Sequence, residues 1–290
     1  MPEWESKFVA VDGIRTHYLE AGAGPTVVLM HSGEFGAAAE VSWERTIPAL
    51  ARRYRVVAPD WLGFGRTDKV FDFAAPRDRS LGHMRRFFEV MQIAEADFVG
   101  NSFGGSTLVQ IAARRPVIFP IRSLALCSGG GFTPDNEHRR KLLAYDGSDA
   151  AMRALVRAMM FDPRWADDDA HIAKRQEFTH MPGAFECASA PRLRAPFREG
   201  PAPFGQPDMT PYENVAVPTL VVAGAEDRLR EKGYAQAIAQ RIPNCEVHVL
   251  ADCGHCPNIE KAAEFNALLL AFLDRLHARR GNLTTPRGGT

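Results

Sequence analysis

Residues 98–105 read Phe-Val-Gly-Asn-Ser-Phe-Gly-Gly, and this segment restricts the fold more than any other in the chain. It predicts a buried strand that runs into a sharp turn, with a helix beginning at once. A serine between two glycines at such a turn sits in a strained backbone conformation. The positions two before and two after it must then be nearly free of side chain for strand and helix to approach. That geometry exposes the hydroxyl at the mouth of a sheet, at the positive end of a helix, where developing negative charge is favoured. Ser102 is therefore the candidate nucleophile.

A serine hydroxyl is a weak nucleophile near neutral pH and needs a base, which in turn needs an orienting acid. For this strand–serine–helix turn the partners follow in the order Ser, Asp or Glu, His. Downstream, Pro218-Thr219-Leu220-Val221-Val222-Ala223-Gly224-Ala225-Glu226-Asp227 reads as a buried strand that breaks at Gly224 and leaves Asp227 on the loop beyond it. A helix over 230–241 and a strand over 246–250 follow, ending in Ala251-Asp252-Cys253-Gly254-His255. Of nine histidines, His255 is the one that follows glycine on a post-strand loop. The expected set is Ser102 as nucleophile, His255 as base and Asp227 as acid, with Glu226 and Asp252 competing for the last role. His248 falls within an alternating strand and reads as a surface residue.

The companion oxyanion hole requires two backbone N–H groups. Phe103, next after the nucleophile, supplies one. The loop after the strand at 26–30 runs His31-Ser32-Gly33-Glu34-Phe35-Gly36 and supplies the other at Gly33, with Glu34 as the alternative donor. His31 reads as a tie between that loop and its neighbours, a proton-transfer role being the competing reading.

With 290 residues and a hydrophobic fraction of 46%, the chain can build one sizeable core with an inserted subdomain. Its formal net charge is zero, and no basic stripe with interleaved aromatics occurs, which argues against nucleic acid as a partner. No apolar run reaches the length of a membrane span and no secretory signal is visible. Five cysteines without framework spacing fit a reducing, cytoplasmic compartment. Cys253 and Cys256 form a C-x-x-C, but no second ligand pair accompanies them, so neither a metal nor any other cofactor is expected. The expected partner is a small-molecule substrate, and a homo-oligomer is compatible with the sequence.

Strands alternate with helices over most of the length. Two strands surround the Asp12-Gly13 turn, a helix is expected over 43–52, and a strand over 55–60 leads into the glycine-punctuated loop 61–68. A helix over 80–91 and a strand over 121–127 flank the serine turn and its helix. This pattern predicts an α/β fold, a mostly parallel twisted sheet flanked by helices, with active residues at the carboxyl ends of its strands. After Gly131 the strands stop, and helical patterns such as 150–160 and 168–179 precede a Pro- and Arg-rich stretch over 191–211. The expected division is a core of residues 1–131 and 215–280, a helical cap of 132–214 over the site, and a disordered tail of 281–290.

From Phe8 to about Leu276 the chain resembles the α/β-hydrolase superfamily. The resemblance rests on His31-Ser32-Gly33, on Val56 to Gly65 (Val-Val-Ala-Pro-Asp-Trp-Leu-Gly-Phe-Gly), on Gly100-Asn101-Ser102-Phe103-Gly104-Gly105 and on Gly254-His255. Within that superfamily, Gly-Asn-Ser-Phe-Gly-Gly looks most like the meta-cleavage product hydrolases, which cleave a carbon–carbon bond in dienoates formed by aromatic ring opening. The resemblance implies a supporting polar role for Asn101 and a cap arginine that grips the substrate carboxylate. Arg175, in Ala173-Lys174-Arg175-Gln176-Glu177, matches best, against the plainer reading of a solvated helix-end arginine. Two departures touch the pocket: His-Gly-x-Gly-Pro-Gly is replaced by His31-Ser32-Gly33-Glu34-Phe35-Gly36, and the Trp that commonly follows the histidine is Cys256. C–C hydrolysis beside a carbonyl and carboxylester hydrolysis are the leading activities. A cofactor-free oxygenase or perhydrolase, or a capped ligand receptor, represents the other classes.

Overall fold

The computed structural model describes residues 3–190 and 204–284. Eight strands build one sheet: β1 (Glu5–Val11), β2 (Ile14–Ala21), β3 (Thr26–Met30), β4 (Arg55–Pro59), β5 (Ala96–Asn101), β6 (Ile121–Cys127), β7 (Thr219–Gly224) and β8 (Cys245–Leu250). Their order is β1-β2-β4-β3-β5-β6-β7-β8. The β1–β2 and β2–β4 pairs are antiparallel, and every pair from β4 to β8 is parallel. Asp12 and Gly13 both take positive φ, 50° and 84°, which is what a two-residue hairpin between twisted strands requires.

The central strands β5 and β7 are buried along their whole length because helices cover both faces of a parallel sheet. One face packs Val28, Phe98, Leu124 and Val221 against Phe87, Phe88 and Leu108. The other packs Val27, Val99, Ala125 and Leu220 against Trp43, Phe265 and Leu269. Chain direction through the sheet reverses between β3 and β5, which lie side by side with Met30 opposite Gly100. Loops leaving two such strands at their carboxyl ends diverge and open a crevice, and this is where both the Gly33 loop and Ser102 begin.

Between β6 and β7 the described residues form helices and no strand: Glu137–Leu143, Asp149–Met159, Arg164–Asp167, Asp169–Thr179 and Ala184–Ser189. Asp168 caps the fourth of these, its carboxylate accepting from the Ala170 N–H at 2.9 Å and the His171 N–H at 3.2 Å. The first thirteen residues of the Pro- and Arg-rich stretch, 191–203, lie outside the described residues.

Three expectations change. The helix expected over 43–52 is two short helices, Ala39–Trp43 and Ile47–Ala51. Pro48 cannot donate to the carbonyl one turn before it, so the helix restarts there. The helix expected over 230–241 shrinks to Tyr234–Ala239, because Gly233 at its N-cap is left-handed, φ 82°. The last helix, Ala262–Thr284, runs past Gly281, where a disordered tail was expected to begin; residues 285–290 lie outside the described residues. None of the helices described is long and apolar enough to cross a membrane.

Candidate active site

Ser102 stands between β5 and the helix Phe103–Ala112 with φ 51° and ψ −108°, the strained conformation that the sequence implies. The flanking glycines are sterically required. A Cβ on Gly100 would lie 2.5 Å from the Gly105 nitrogen, and one on Gly104 would lie 2.8 Å from the His31 carbonyl and closer still to that of Met30. The Ser102 N–H donates to the Cys127 carbonyl at 2.8 Å, which ties the turn to the neighbouring strand.

The sheet delivers the other two residues to this hydroxyl. Asp227 leaves the end of β7, where the Leu229 N–H donates to its Oδ1 at 2.9 Å. Its Oδ2 accepts from His255 Nδ1 at 2.7 Å, and His255 Nε2 lies 2.7 Å from Ser102 Oγ. Burial raises the Asp227 carboxyl, but the adjacent imidazole and the Arg230 guanidinium outweigh it and hold the group below its ordinary range. An ionised Asp227 fixes the proton on Nδ1 and leaves the Nε2 lone pair facing the serine hydroxyl. The competing acids do different work. Glu226 accepts the Cys253 N–H at 2.9 Å, while Asp252 is exposed.

The loop carrying His255 is held by the helical segment between β6 and β7 as well. Its N–H donates to the Met159 carbonyl at 2.7 Å. Glu260 accepts from the Gly254 N–H at 2.9 Å through Oε1 and from the Phe161 N–H at 2.6 Å through Oε2. One carboxylate thus joins the histidine loop to the helical segment above it, and no motif in the sequence signals this.

Gly33 and Phe103 meet directly, since a Cβ at position 33 would lie 2.9 Å from Phe103 Cβ. Neither backbone N–H has an acceptor among the described residues. His31 is fully buried and structurally engaged: Nδ1 donates to the Ser32 carbonyl at 2.6 Å and Nε2 accepts the Trp61 N–H at 3.0 Å. Burial pushes its basicity down despite Asp60 nearby, so it serves as a neutral tie rather than a proton carrier. Asn101 is buried, with Nδ2 donating to the Cys127 carbonyl at 3.2 Å and Oδ1 without a partner among the described residues. His248 is half-buried on the outer strand β8.

Arg175 departs furthest from the simple expectation. It is 0% exposed in the middle of its helix, not solvated at a helix end. Its Nη1 donates to Glu34 Oε1 at 2.9 Å and its Nε to His171 Nε2 at 3.0 Å, leaving Nη2 without a partner among the described residues. Burial would raise the Glu34 carboxyl, but Arg175 overrides that and holds it ionised. Cys253 and Cys256 are buried free thiols, each pushed up by burial, so they are poor nucleophiles. Among the described residues no cluster of three or more His, Cys, Asp or Glu side chains is arranged to hold a metal.

Residues 22–268 match the alpha/beta hydrolase family. The chain belongs to that family. It is 33% identical over 271 residues, 93% of its length and 91% of the relative's, to a 2-hydroxy-6-oxo-6-(2'-aminophenyl)hexa-2,4-dienoic acid hydrolase of Metapseudomonas resinovorans. A 2-hydroxymuconate semialdehyde hydrolase of Pseudomonas sp. strain CF600 is likewise 33% identical, with 94% of each chain covered. Among solved structures, a meta-cleavage product hydrolase of Pseudomonas fluorescens IP01 superposes with a TM-score of 0.82 at 28% identity, covering 93% of this chain and 98% of that one. In this α/β-hydrolase, Ser102, Asp227 and His255 lie beyond the carboxyl ends of the parallel strands β5, β7 and β8, where the alternation of strands and helices led the candidate residues to be expected.

Proposed function

We propose that this α/β-hydrolase is a serine hydrolase that cleaves a carbon–carbon bond next to a carbonyl in a small acidic dienoate of ring-cleavage origin. The continuous Ser102–His255–Asp227 hydrogen-bond chain carries the reading, and the names of its full-length relatives supply the substrate class. Ser102 Oγ attacks the keto carbon while His255 Nε2 takes its proton. The N–H groups of Gly33 and Phe103 receive the oxyanion, and removing one such donor costs about 3 kcal/mol of transition-state stabilisation. The 2-hydroxydiene first takes its keto form, in which the departing carbon is sp3; when the tetrahedral centre collapses, the C–C bond breaks, its electron pair passes into the conjugated unsaturated ketone, and His255 returns the proton to that fragment. Water, deprotonated by His255, then attacks the acyl-serine, and His255 passes that proton to the departing Ser102 Oγ as the acid is released.

Asn101 supports the nucleophile strand, and residues 132–214 act as the cap that excludes water and selects substrate. Five free cysteines fit a reducing, cytoplasmic setting. The Glu34–Arg175 pair favours a second reading, a carboxylesterase on uncharged esters, because the cap cation is already matched by a carboxylate. Purified protein offered a coloured ring-fission dienoate and neutral aryl esters separates the two. Bleaching of the dienoate with kcat/KM well above that for esters is expected, and ester turnover alone establishes the esterase. A requirement for dioxygen, or tight binding without turnover, would overturn both.

A further inference from the structure

Two loops converge on Arg175. Gly33, which abuts the Phe103 side chain, is followed by Glu34, which accepts from Arg175 Nη1. Gly36 of the same loop abuts the Arg175 backbone, where an added Cβ would lie 2.8 Å from its carbonyl oxygen. Cys256, the residue after His255, is buried in the same apolar cluster as Phe35, the residue after Glu34. The ion pair is therefore bracketed by the oxyanion loop and the base loop. Both departures from the family pattern, Glu34 and Cys256, fall on the same spot.

A guanidinium binds a carboxylate best through two parallel N–H donors. Here Nε is given to His171 and Nη1 to Glu34, so Nη2, buried and without a partner among the described residues, is the group left for a ligand. Glu34 also cancels the charge, since each side chain is 6% exposed or less and water screens neither. We propose that Glu34 is a specificity-determining residue: by holding Arg175 internally it reduces what the site offers a carboxylate to the Nη2 group, so an acid is preferred over its uncharged isostere by less than about a hundredfold. The inference rests on the hydrolase reading above only for the location of the substrate.

The test is binding by calorimetry, which needs no turnover, with hexa-2,4-dienoate and hexa-2,4-dienamide as probes. For the unmodified protein the acid should bind less than about a hundredfold more tightly than the amide. Glu34→Gln leaves Arg175 uncompensated and should raise that ratio by roughly ten- to a hundredfold, while Glu34→Asp returns it toward the original value. General loosening of the pocket would weaken both ligands together and leave the ratio unmoved. In Glu34→Gln/Arg175→Gln the preference for the acid should vanish. A ratio of a hundredfold or more in the unmodified protein, an unchanged ratio in folded Glu34→Gln, or binding of neither ligand to either protein overturns the proposal. Where Glu34→Gln does not fold, the ratio in the unmodified protein decides. Absence of dienoate turnover with the predicted ratios would instead count against the C–C hydrolase reading alone.

Discussion

The two polar constellations of this hydrolase differ in how the chain makes them. In the core, Ser102, Asp227 and His255 each sit within a few residues of a strand end, and local backbone geometry aims them. Ser102 takes φ 51° because its glycine neighbours allow strand and helix to close on it. In the helical segment between β6 and β7, Arg175 occupies an unremarkable mid-helix position and acquires its role from a carboxylate 141 residues away. Core placement is a property of short segments. Placement in the helical segment is a property of packing, and a change on either side of the pair alters it.

Breaking the core constellation should have the largest effect. Ser102→Ala or His255→Ala should lower kcat by on the order of 10⁴- to 10⁶-fold with little change in Tm, and fluorophosphonate should label the unmodified protein at Ser102 alone. Asp227→Asn leaves the hydrogen bonds but offers the wrong tautomer, so a loss of about 10⁴ is expected. Retained turnover in Ser102→Ala would remove the nucleophile from the account.

Steric demand gives the next contrast. Gly104→Ala drives a methyl into the Met30 and His31 carbonyls and should cost about 3 kcal/mol or more, read from urea midpoints. Gly147→Ala, in the helical segment between β6 and β7, meets nothing within 4 Å and suffers only the strain of φ 95°, so about 1 kcal/mol is expected. Equal losses would mean that the elbow is no tighter than a surface turn.

Glu260 joins the two regions, and replacing it sharpens the comparison. Glutamine offers one acceptor oxygen where two are used, so its NH2 must face a backbone N–H of either Gly254 or Phe161. Glu260→Gln should therefore cost about 1–3 kcal/mol and speed proteolysis within the helical segment before the core is cut. Simultaneous cleavage of both would show that the clamp is not what holds them together.

The smallest effect is a pH slope. His171 beside Arg175 and His83 beside Thr16 are both held neutral by burial, their pKa values pushed from 6.5 down to about 3 and about 4. Between about 4 and 6.5 the unfolded chain binds protons that the folded protein refuses, so stability should fall as the pH drops through that window. Above 6.5 their contribution is complete. Urea midpoints at pH 7.5, 6 and 5 should decline in that order, and His171→Asn should flatten the slope without abolishing it.

Much of this molecule is written in short stretches of sequence. The strands at 26–30 and 121–127 coincide with those expected, because each carries a mostly apolar run of the kind that a strand covered on both faces of a parallel sheet requires. The elbow, the triad order and the His31 loop were legible for a similar reason: each depends on residues within one strand–loop unit. Helix limits were less so, since Gly233 and Pro48 act through backbone dihedrals that hydrophobic spacing does not report. Tertiary structure alone decided which carboxylate meets the histidine, since Glu226, Asp227 and Asp252 differ only in where two loops point. It alone placed Glu34 on Arg175 and Glu260 across the boundary between the histidine loop and the helices above. Those contacts join residues about a hundred or more positions apart, and a charge buried in a low-dielectric interior takes whichever partner the packing delivers.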